Sequence, residues 1–310
     1  MCIPQNRAIA AVMSKLIFPI SAALGLSLLT LGSLANPTPA DPADPTSPTA
    51  QSFPAPLAQT RLSPPVPPLP YPVPPARPPG DTGITGLIPA VTDDLGVGHL
   101  RPRDLSFLDA ADWPDSPYLG ANWLQAAAVP IYIEPNGIHW GWLMSGWLIP
   151  NGQPAIALGT DATFSMLHTY YALYSFPVTQ MREDGWFQFQ YTSAGSAWAH
   201  VDHLNLGRID LTVETWEERF LAVGWVEFRR HGLSQPLREA PDDAGNSIVN
   251  LIGPNSIIEP LAFTGDWMQV RVTQPTDGCI SLPGAATQEG WMRWRNAENQ
   301  SLVWYPPQGC

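Results

Sequence analysis

The segment from His139 to Trp147 holds the side chains best suited to binding a ligand. It contains His139, Trp140, Trp142 and Trp147, and Gly141 separates two of the indoles. On an extended strand Trp140 and Trp142 would project from the same face, because side chains alternate along a strand. Flat aromatic surfaces stack on sugar rings and on polyproline helices. These four residues are therefore our candidate ligand-binding site, with burial in the core of the domain as the alternative.

Motifs typical of catalysis are absent from the sequence. It has no HExxH, GxSxG, Walker-type loop or CxxC, the patterns that bind zinc, expose a nucleophile or cradle phosphate. Glu217 and Glu218 are adjacent, and we interpret them as a solvated face and not as a catalytic pair. We therefore expect a non-enzymatic protein with no catalytic residues and no cofactor.

The densest group of metal-ligand residue types is His200-Val201-Asp202-His203. On a strand, His200 and Asp202 would share a face and His203 would point away. Zinc needs three or four converging ligands, and the sequence suggests no others. We expect no metal site here and interpret the group as an exposed turn at the end of a strand.

The chain is acidic, with a formal net charge of −12. An acidic surface repels nucleic-acid phosphates and anionic lipid headgroups. We therefore exclude nucleic acid as a partner, and we expect membrane association only if the N-terminal segment is retained as an anchor.

Residues 1–35 have the pattern of a signal peptide. Positive charges and no acids precede an uncharged run over 16–34, which ends in Ser33-Leu34-Ala35, small residues at the positions that a signal peptidase reads. An uncleaved anchor is the alternative, because nineteen residues can just span about 30 Å of hydrocarbon. We expect cleavage and a periplasmic or extracellular protein.

Two cysteines, Cys279 and Cys310, remain after removal of that segment. In an oxidising compartment they form a plausible disulfide. The alternative is that both stay reduced.

Residues 36–80 form a proline-rich segment with 17 of the chain's 36 prolines. Proline removes backbone donors and the segment is poor in core-forming residues, so we expect a disordered linker of polyproline II character that acts as a spacer. The part from Ser63 to Pro79 is also a plausible ligand for an aromatic groove.

Short alternating runs of apolar and aromatic residues begin after residue 118 and continue to the C-terminus. Runs of four to six residues between Gly, Pro, Asn and Asp predict an all-β fold. We expect residues 81–118 to be irregular and 208–233 to be a connector. In the connector, Thr215-Trp216-Glu217-Glu218 resembles a capping box and Gly224 a helix stop, although two strand pieces remain an alternative.

The sequence contains an internal duplication. Trp186 and Trp267 occupy matching segments 81 residues apart, and Trp198 and Trp291 match further on with an offset of 93. The second copy therefore has about twelve extra residues, in the stretch that contains Cys279. A period near 80 residues indicates a duplicated domain and not a solenoid.

The second copy resembles the bacterial SH3-like domain family. The elements that carry the resemblance follow in the family's order over about 75 residues: PLREAP, IVNLI, GPNS, IIEPL, DWMQV and EGWM. Residues 125–206 are a weaker copy, which departs from the family at Ile131–Pro135 and at HWGWLMSGW. The resemblance implies two small SH3-like barrels, over 119–207 and 234–310, with Trp267 at the start of a strand and Gly290 at a close turn.

The resemblance also implies a function. Exported members of this family bind cell-envelope material, so peptidoglycan or its peptide stems are the first expected partner. The alternative is a protein-interaction module that binds proline-rich strands, including the chain's own segment from Ser63 to Pro79.

Overall fold

The computed structural model describes residues 63–75, 86–87, 95–106, 119–157, 166–170, 173–192, 195–230 and 232–305. The predicted signal peptide and Cys310 lie outside these ranges, so cleavage and the disulfide stay predictions. Within the described residues no helix is long and apolar enough to cross a membrane.

The described part is all-β, as predicted, with one α-helix, α1 (Trp216–Val223). The strands are β1 (Gly86–Leu87), β2 (Gly98–Pro102), β3 (Ala128–Tyr132), β4 (His139–Met144), β5 (Trp147–Pro150), β6 (Ile156–Ala157), β7 (Met166–Tyr170), β8 (Leu173–Met181), β9 (Trp186–Gln190), β10 (Ser196–His200), β11 (Leu211–Thr215), β12 (Glu227–Phe228), β13 (Gln235–Arg238), β14 (Ser247–Ile252), β15 (Ile257–Thr264), β16 (Trp267–Asp277), β17 (Ile280–Arg293) and β18 (Val303–Trp304).

The strands form two main sheets. The first follows the order β1-β7-β8-β9-β10-β3-β4-β5-β6, and β2 joins it by pairing with both β8 and β11. The second follows the order β14-β13-β17-β16-β15, and β12 pairs with β18 beside it. The strand pairs within the described ranges close neither sheet into a barrel.

Both sheets contain the same succession of five strands. The succession β4-β3-β10-β9-β8 in the first sheet corresponds to β14-β13-β17-β16-β15 in the second. The register is also equal: Trp198 lies opposite Gln188, and Trp291 lies opposite Gln269. The duplication seen in the sequence is therefore repeated in the strand pairing.

An irregularity recurs at the same place in each copy. The register shifts between Val178 and Gln180 where β8 pairs with β9, and between Pro260 and Ala262 where β15 pairs with β16.

Gly290 lies inside β17 and not at a turn. A Cβ atom there would come within 2.6 Å of the carbonyl oxygen of Arg238, so glycine permits the close approach of β17 to β13.

Most of the buried apolar residues of the two sheets lie in separate hydrophobic clusters, although Leu167 of β7 belongs to the cluster of the second sheet. Phe187 and Phe189 are fully buried in the first, and Met268 and Val270 in the second. These pairs stand at matching positions, one and three residues after Trp186 and Trp267, so alternation along β9 and β16 buries equivalent side chains.

Residues 81–118, predicted to be irregular, contribute two strands, β1 and β2, to the first sheet. The sequence pattern did not reveal β2, because turn residues surround it. Its pairing partners, β11 and β8, are also distant in the sequence. Glu214 of β11 accepts a hydrogen bond from Arg101 Nε at 2.6 Å and lies 2.8 Å from His99 Nε2. These contacts to β2 lower the pKa of the Glu214 carboxyl to about 2, despite the opposing effect of burial, which is the largest single influence.

The connector contains two strands, β11 and β12, and the predicted helix. Thr215 caps α1 by accepting from the Glu218 amide, and the Glu218 carboxylate accepts from the Thr215 amide. Gly224 ends the helix in the left-handed conformation, with φ 79°. The capping-box prediction is confirmed, because both signals are local in sequence.

Candidate functional site

Part of the predicted spacer lies against the first sheet. We call Ser63–Pro75 the proline strap. Three side-chain nitrogens contact its carbonyl oxygens in order along the strap: His203 Nε2 lies 3.0 Å from the oxygen of Pro64, Trp142 Nε1 lies 3.1 Å from that of Pro68, and Trp147 Nε1 lies 2.9 Å from that of Pro75. Residues 63–75 are thus held in place by side chains, in contrast to the predicted disordered linker.

The chemistry of these contacts suits proline. An indole N–H can only donate, and a proline residue keeps its carbonyl acceptor although it has no N–H. A hydrogen bond of this kind contributes about 0.5–1.5 kcal/mol net. The three contacts therefore use only the acceptors that a proline-rich backbone retains.

A tight hairpin positions the two tryptophans. Met144 pairs with Trp147 across a two-residue turn, Ser145-Gly146, whose φ angles are 54° and 81°. Positive φ at both residues is the geometry that matches the twist of a two-stranded hairpin. Trp142 and Trp147 consequently lie in one cluster with Met144, and their indoles contact different parts of the strap.

Trp140 does not join this cluster. It packs against the larger core of the first sheet and stacks on Tyr191, with ring centroids 5.9 Å apart. The prediction that Trp140 and Trp142 share a face is wrong, because the register shifts between Ile131 and Tyr132 where β3 pairs with β4. A shift of this kind interrupts the alternation of side chains.

The predicted residue His139 joins a row of rings beside the strap. His139 lies 5.9 Å from Trp142 and 5.5 Å from Tyr132, and Tyr132 lies 5.0 Å from Trp186, all edge to face. Trp186 in turn contacts His200 at 5.2 Å. Edge-to-face packing is favourable for aromatic pairs, so this row forms a continuous aromatic floor.

The turn after β10 is exposed at Asp202, as predicted, but His200 before it and His203 within it are buried. His200 is 0 % and His203 is 1 % exposed, and residues 201–203 form a short 3-10 helix. His200 Nε2 lies 2.9 Å from the carbonyl oxygen of Asp184, which anchors the turn to the sheet. The strap covers His203. Because the covering residues lie more than a hundred positions away in the sequence, no local pattern predicts this contact.

The hydrogen bonding of His203 determines its tautomer. A carbonyl oxygen only accepts, so Nε2 carries the proton that is shared with Pro64. Nδ1 is then an acceptor, and it is buried with no partner among the described residues. Burial lowers the pKa of the His203 imidazole, and it also lowers that of His139. Both rings are therefore neutral at pH 7.

A cavity of about 720 Å³ lies between the strap and the sheet. Its lining from the sheet comprises Tyr132, Asn136, Gly137, His139 and Trp186, and residues 63–68 of the strap complete it. Within the ranges that the structure describes, no group of three or more His, Cys, Asp or Glu side chains could hold a metal ion. The arrangement can bind by stacking and hydrogen bonding.

Comparisons with protein-family models, with curated proteins and with solved structures find no match to this chain. The site must therefore be interpreted from its own geometry. Sequence reasoning selected His139, Trp142 and Trp147, which meet at the strap, and did not assign a binding role to Tyr132 or Trp186.

Proposed function

We propose that the first sheet is a binding module for proline-rich extended strands and that the proline strap is its resident ligand. The observation that carries the proposal is the ordered set of three contacts from His203, Trp142 and Trp147 to strap carbonyls. Aromatic grooves that bind polyproline segments use the same combination of flat rings and side-chain donors.

Because the strap is part of the same chain, it is favoured over a separate peptide as the occupant of this site. Ten residues separate Pro75 from Gly86 of β1, which pairs with β7 in the first sheet. A short connection gives an effective concentration on the order of millimolar. Even a weak strand would then fill the groove most of the time.

The repeated order of five strands supports the SH3-like architecture proposed for both copies. The resemblance in the second copy and the shared register point to one ancestral unit, and small barrels of this kind recognise polyproline strands. We propose that the protein is an exported, non-enzymatic binding protein on this basis.

Cell-envelope material such as peptidoglycan is the second candidate ligand. The aromatic floor of Tyr132 and Trp186 favours it, because such rings stack on sugars as well as on prolines. The hydrogen bonds from Trp142 and Trp147 favour the proline-rich strand.

The indole N–H resonances of the full chain provide the decisive test. In a variant whose residues 63–75 are replaced by a Gly/Ser sequence of equal length, the resonances of Trp142 and Trp147 should shift upfield because their hydrogen bonds are lost. A synthetic Ser63–Pro75 peptide added to that variant should restore both shifts saturably.

Trp294 is the matched control. Its indole donates to the carbonyl oxygen of Gly265 at 2.9 Å in the second sheet, so its resonance should not respond to the strap or to the peptide. If the resonances of Trp142 and Trp147 also ignore the replacement, the strap is not a ligand and the proposal fails.

A further inference from the structure

One edge of the proline strap faces the protein. Pro64, Pro67 and Pro70 are half-buried, whereas the residues between them are exposed. A polyproline II helix has three residues per turn, so residues three positions apart lie on the same edge. The strap therefore turns one edge of prolines toward the protein and its other edges toward solvent.

The outward positions carry side chains that contribute little to attachment of the strap. Val66 is 53 % and Leu69 is 59 % exposed, and Tyr71, just after the last proline of the inward edge, is 98 % exposed. Apolar side chains stabilise a contact in proportion to the area that they remove from water. The identity of the residues at these positions is therefore nearly free.

The backbone contacts place no further restriction on the sequence of the strap. His203, Trp142 and Trp147 contact carbonyl oxygens of the strap, and every residue type has a backbone carbonyl. The inward edge of prolines is thus the part of the strap on which selection by sequence depends.

We propose that the groove occupied by the strap selects proline-rich strands by one edge, with a proline at every third residue, and accepts other side chains, acidic ones included, at the positions between. The inference rests on the proposed function, since it defines which strands the binding module takes.

The sequence of the chain contains a second strand of this pattern. Residues 38–50 are TPADPADPTSPTA, with prolines at positions 39, 42, 45 and 48. When this sequence is aligned with the strap, the first three of these prolines match the inward edge. Asp41 and Asp44 then match the exposed positions of Val66 and Leu69. A carboxylate at an exposed position keeps its hydration, so the groove should accept this sequence.

The second sequence should bind more weakly than the strap. It has four prolines, whereas the strap has eight, so it loses more conformational freedom when it binds. Its two carboxylates also approach a protein whose formal net charge is −12, and like charges repel. Residues 38–50 are therefore a second and weaker ligand sequence for the same groove.

Titration with synthetic peptides tests the inference. The host is the full chain in which residues 38–50 and 63–75 are both replaced by Gly/Ser sequences of equal length, so that neither sequence of the chain itself competes. The strap peptide should shift the indole N–H resonances of Trp142 and Trp147 downfield saturably. The peptide of residues 38–50 should do the same at a roughly tenfold higher concentration.

A permuted peptide is the control for composition. It has the same residues as 38–50, but no two of its prolines are three positions apart, and it should not bind at millimolar concentration.

Two substitutions in the strap peptide form a matched pair. Pro65 and Pro67 line the same cavity, and neither carbonyl oxygen is among the three that the side chains contact. Replacement by alanine increases the freedom of the unbound peptide similarly at both positions. Pro67→Ala should weaken binding severalfold, and Pro65→Ala should weaken it much less. Leu69→Asp should bind as well as the unmodified strap peptide.

Trp123 shows whether the host stays folded. Its indole donates to the carbonyl oxygen of Tyr174 at 2.8 Å within the first sheet, so its resonance should stay in place throughout the titrations.

Other outcomes overturn the inference. If Pro65→Ala and Pro67→Ala weaken binding equally, or if the permuted peptide binds as tightly as the peptide of residues 38–50, the groove does not select the spacing of prolines. If Leu69→Asp or the peptide of residues 38–50 does not bind, acidic residues are not accepted. In each of these cases the strap peptide still binds and the proposed function stands. If the strap peptide itself does not bind, the proposed function fails as well.

Discussion

The two five-stranded units present different chemistry at the same place in the same scaffold. In the first unit Trp186 pairs across the strands with His200, and in the second Trp267 pairs with Arg293. His200 is fully buried under neighbouring rings, whereas the Arg293 guanidinium lies 4.6 Å from the centre of the Trp267 ring. An edge-to-face aromatic pair in one unit thus corresponds to a cation–π pair in the other.

A second pair of equivalent positions shows the same contrast. Tyr132 lies opposite Trp198 in the first unit, and Arg238 lies opposite Trp291 in the second. Tyr132 belongs to the aromatic floor, while Arg238 donates to the carbonyl oxygen of Gly245 in its own loop at 2.8 Å.

The two units also differ in what covers this surface. The loop between β13 and β14 brings Asp243 to within 2.6 Å of Arg293, so the second unit is covered by its own chain segment. The loop at Asn136–Gly137 in the first unit leaves a cavity that the distant strap covers. The same arrangement of strands is therefore covered by its own loop, through an ion pair, in the second unit and by the distant strap in the first.

The largest effect is expected at the paired tryptophans. Trp186 and Trp267 are 2 % and 8 % exposed, and truncation of a buried tryptophan to alanine costs about 3–5 kcal/mol. Trp186→Ala and Trp267→Ala should each lower the free energy of unfolding in urea by this amount. Only Trp186→Ala should also release the strap, seen as a shift of the Trp142 indole resonance. Strap release in both variants would contradict the comparison.

The next effect concerns a single hydrogen bond. Trp142→Phe removes the donor to Pro68 and should weaken attachment of the strap by about 1 kcal/mol, the usual net value of such a bond. The Trp147 indole resonance measures the change. Trp294→Phe, which removes an indole bond within the second sheet, should leave the strap attached; a loss of attachment there would indicate general loosening.

Acidification should affect the first unit more than the second. Burial lowers the pKa of His203 and of His139 below 6.5, so the unfolded chain binds more protons than the folded chain as the pH falls past that value. The stability that depends on these two neutral histidines is therefore complete above pH 6.5 and is lost as the pH falls below that value. Unfolding in urea at pH 7 and pH 5, followed by indole resonances from each sheet, checks this.

A histidine variant identifies the responsible group. Residues 232–305, which contain the second unit, have no histidine, so their resonances serve as the reference. His203→Asn should reduce the pH dependence of the first unit. An unchanged dependence would assign it to the remaining histidines that face this unit, above all His99 with its neighbour Glu214.

The smallest effect is expected for the charge pair of the second unit. Asp243 is 69 % and Arg293 is 29 % exposed at the side chain, and ion pairs of this exposure contribute roughly 0–1 kcal/mol. Asp243→Asn should lower stability slightly at low salt and hardly at all at high salt. A large or salt-independent loss would show that the loop is held by other contacts.

The sequence by itself determined the features that depend on neighbouring residues. The all-β fold follows from short alternating runs, and the capped helix α1 follows from Thr215, Glu218 and Gly224. The duplicated spacing of Trp186 and Trp267 corresponds to equal register in the two sheets. Each of these signals is contained within a few residues or in a repeat of such a stretch.

Only the tertiary structure decided which rings form the site. The register shift in β3 and β4 separates Trp140 from Trp142, and the burial of His203 depends on Pro64, which lies 139 residues away. Alternation along a strand predicts which side chains share a face only where the strand pairing is regular. Contacts between distant segments depend on the free energy of packing the whole chain, which no local pattern contains.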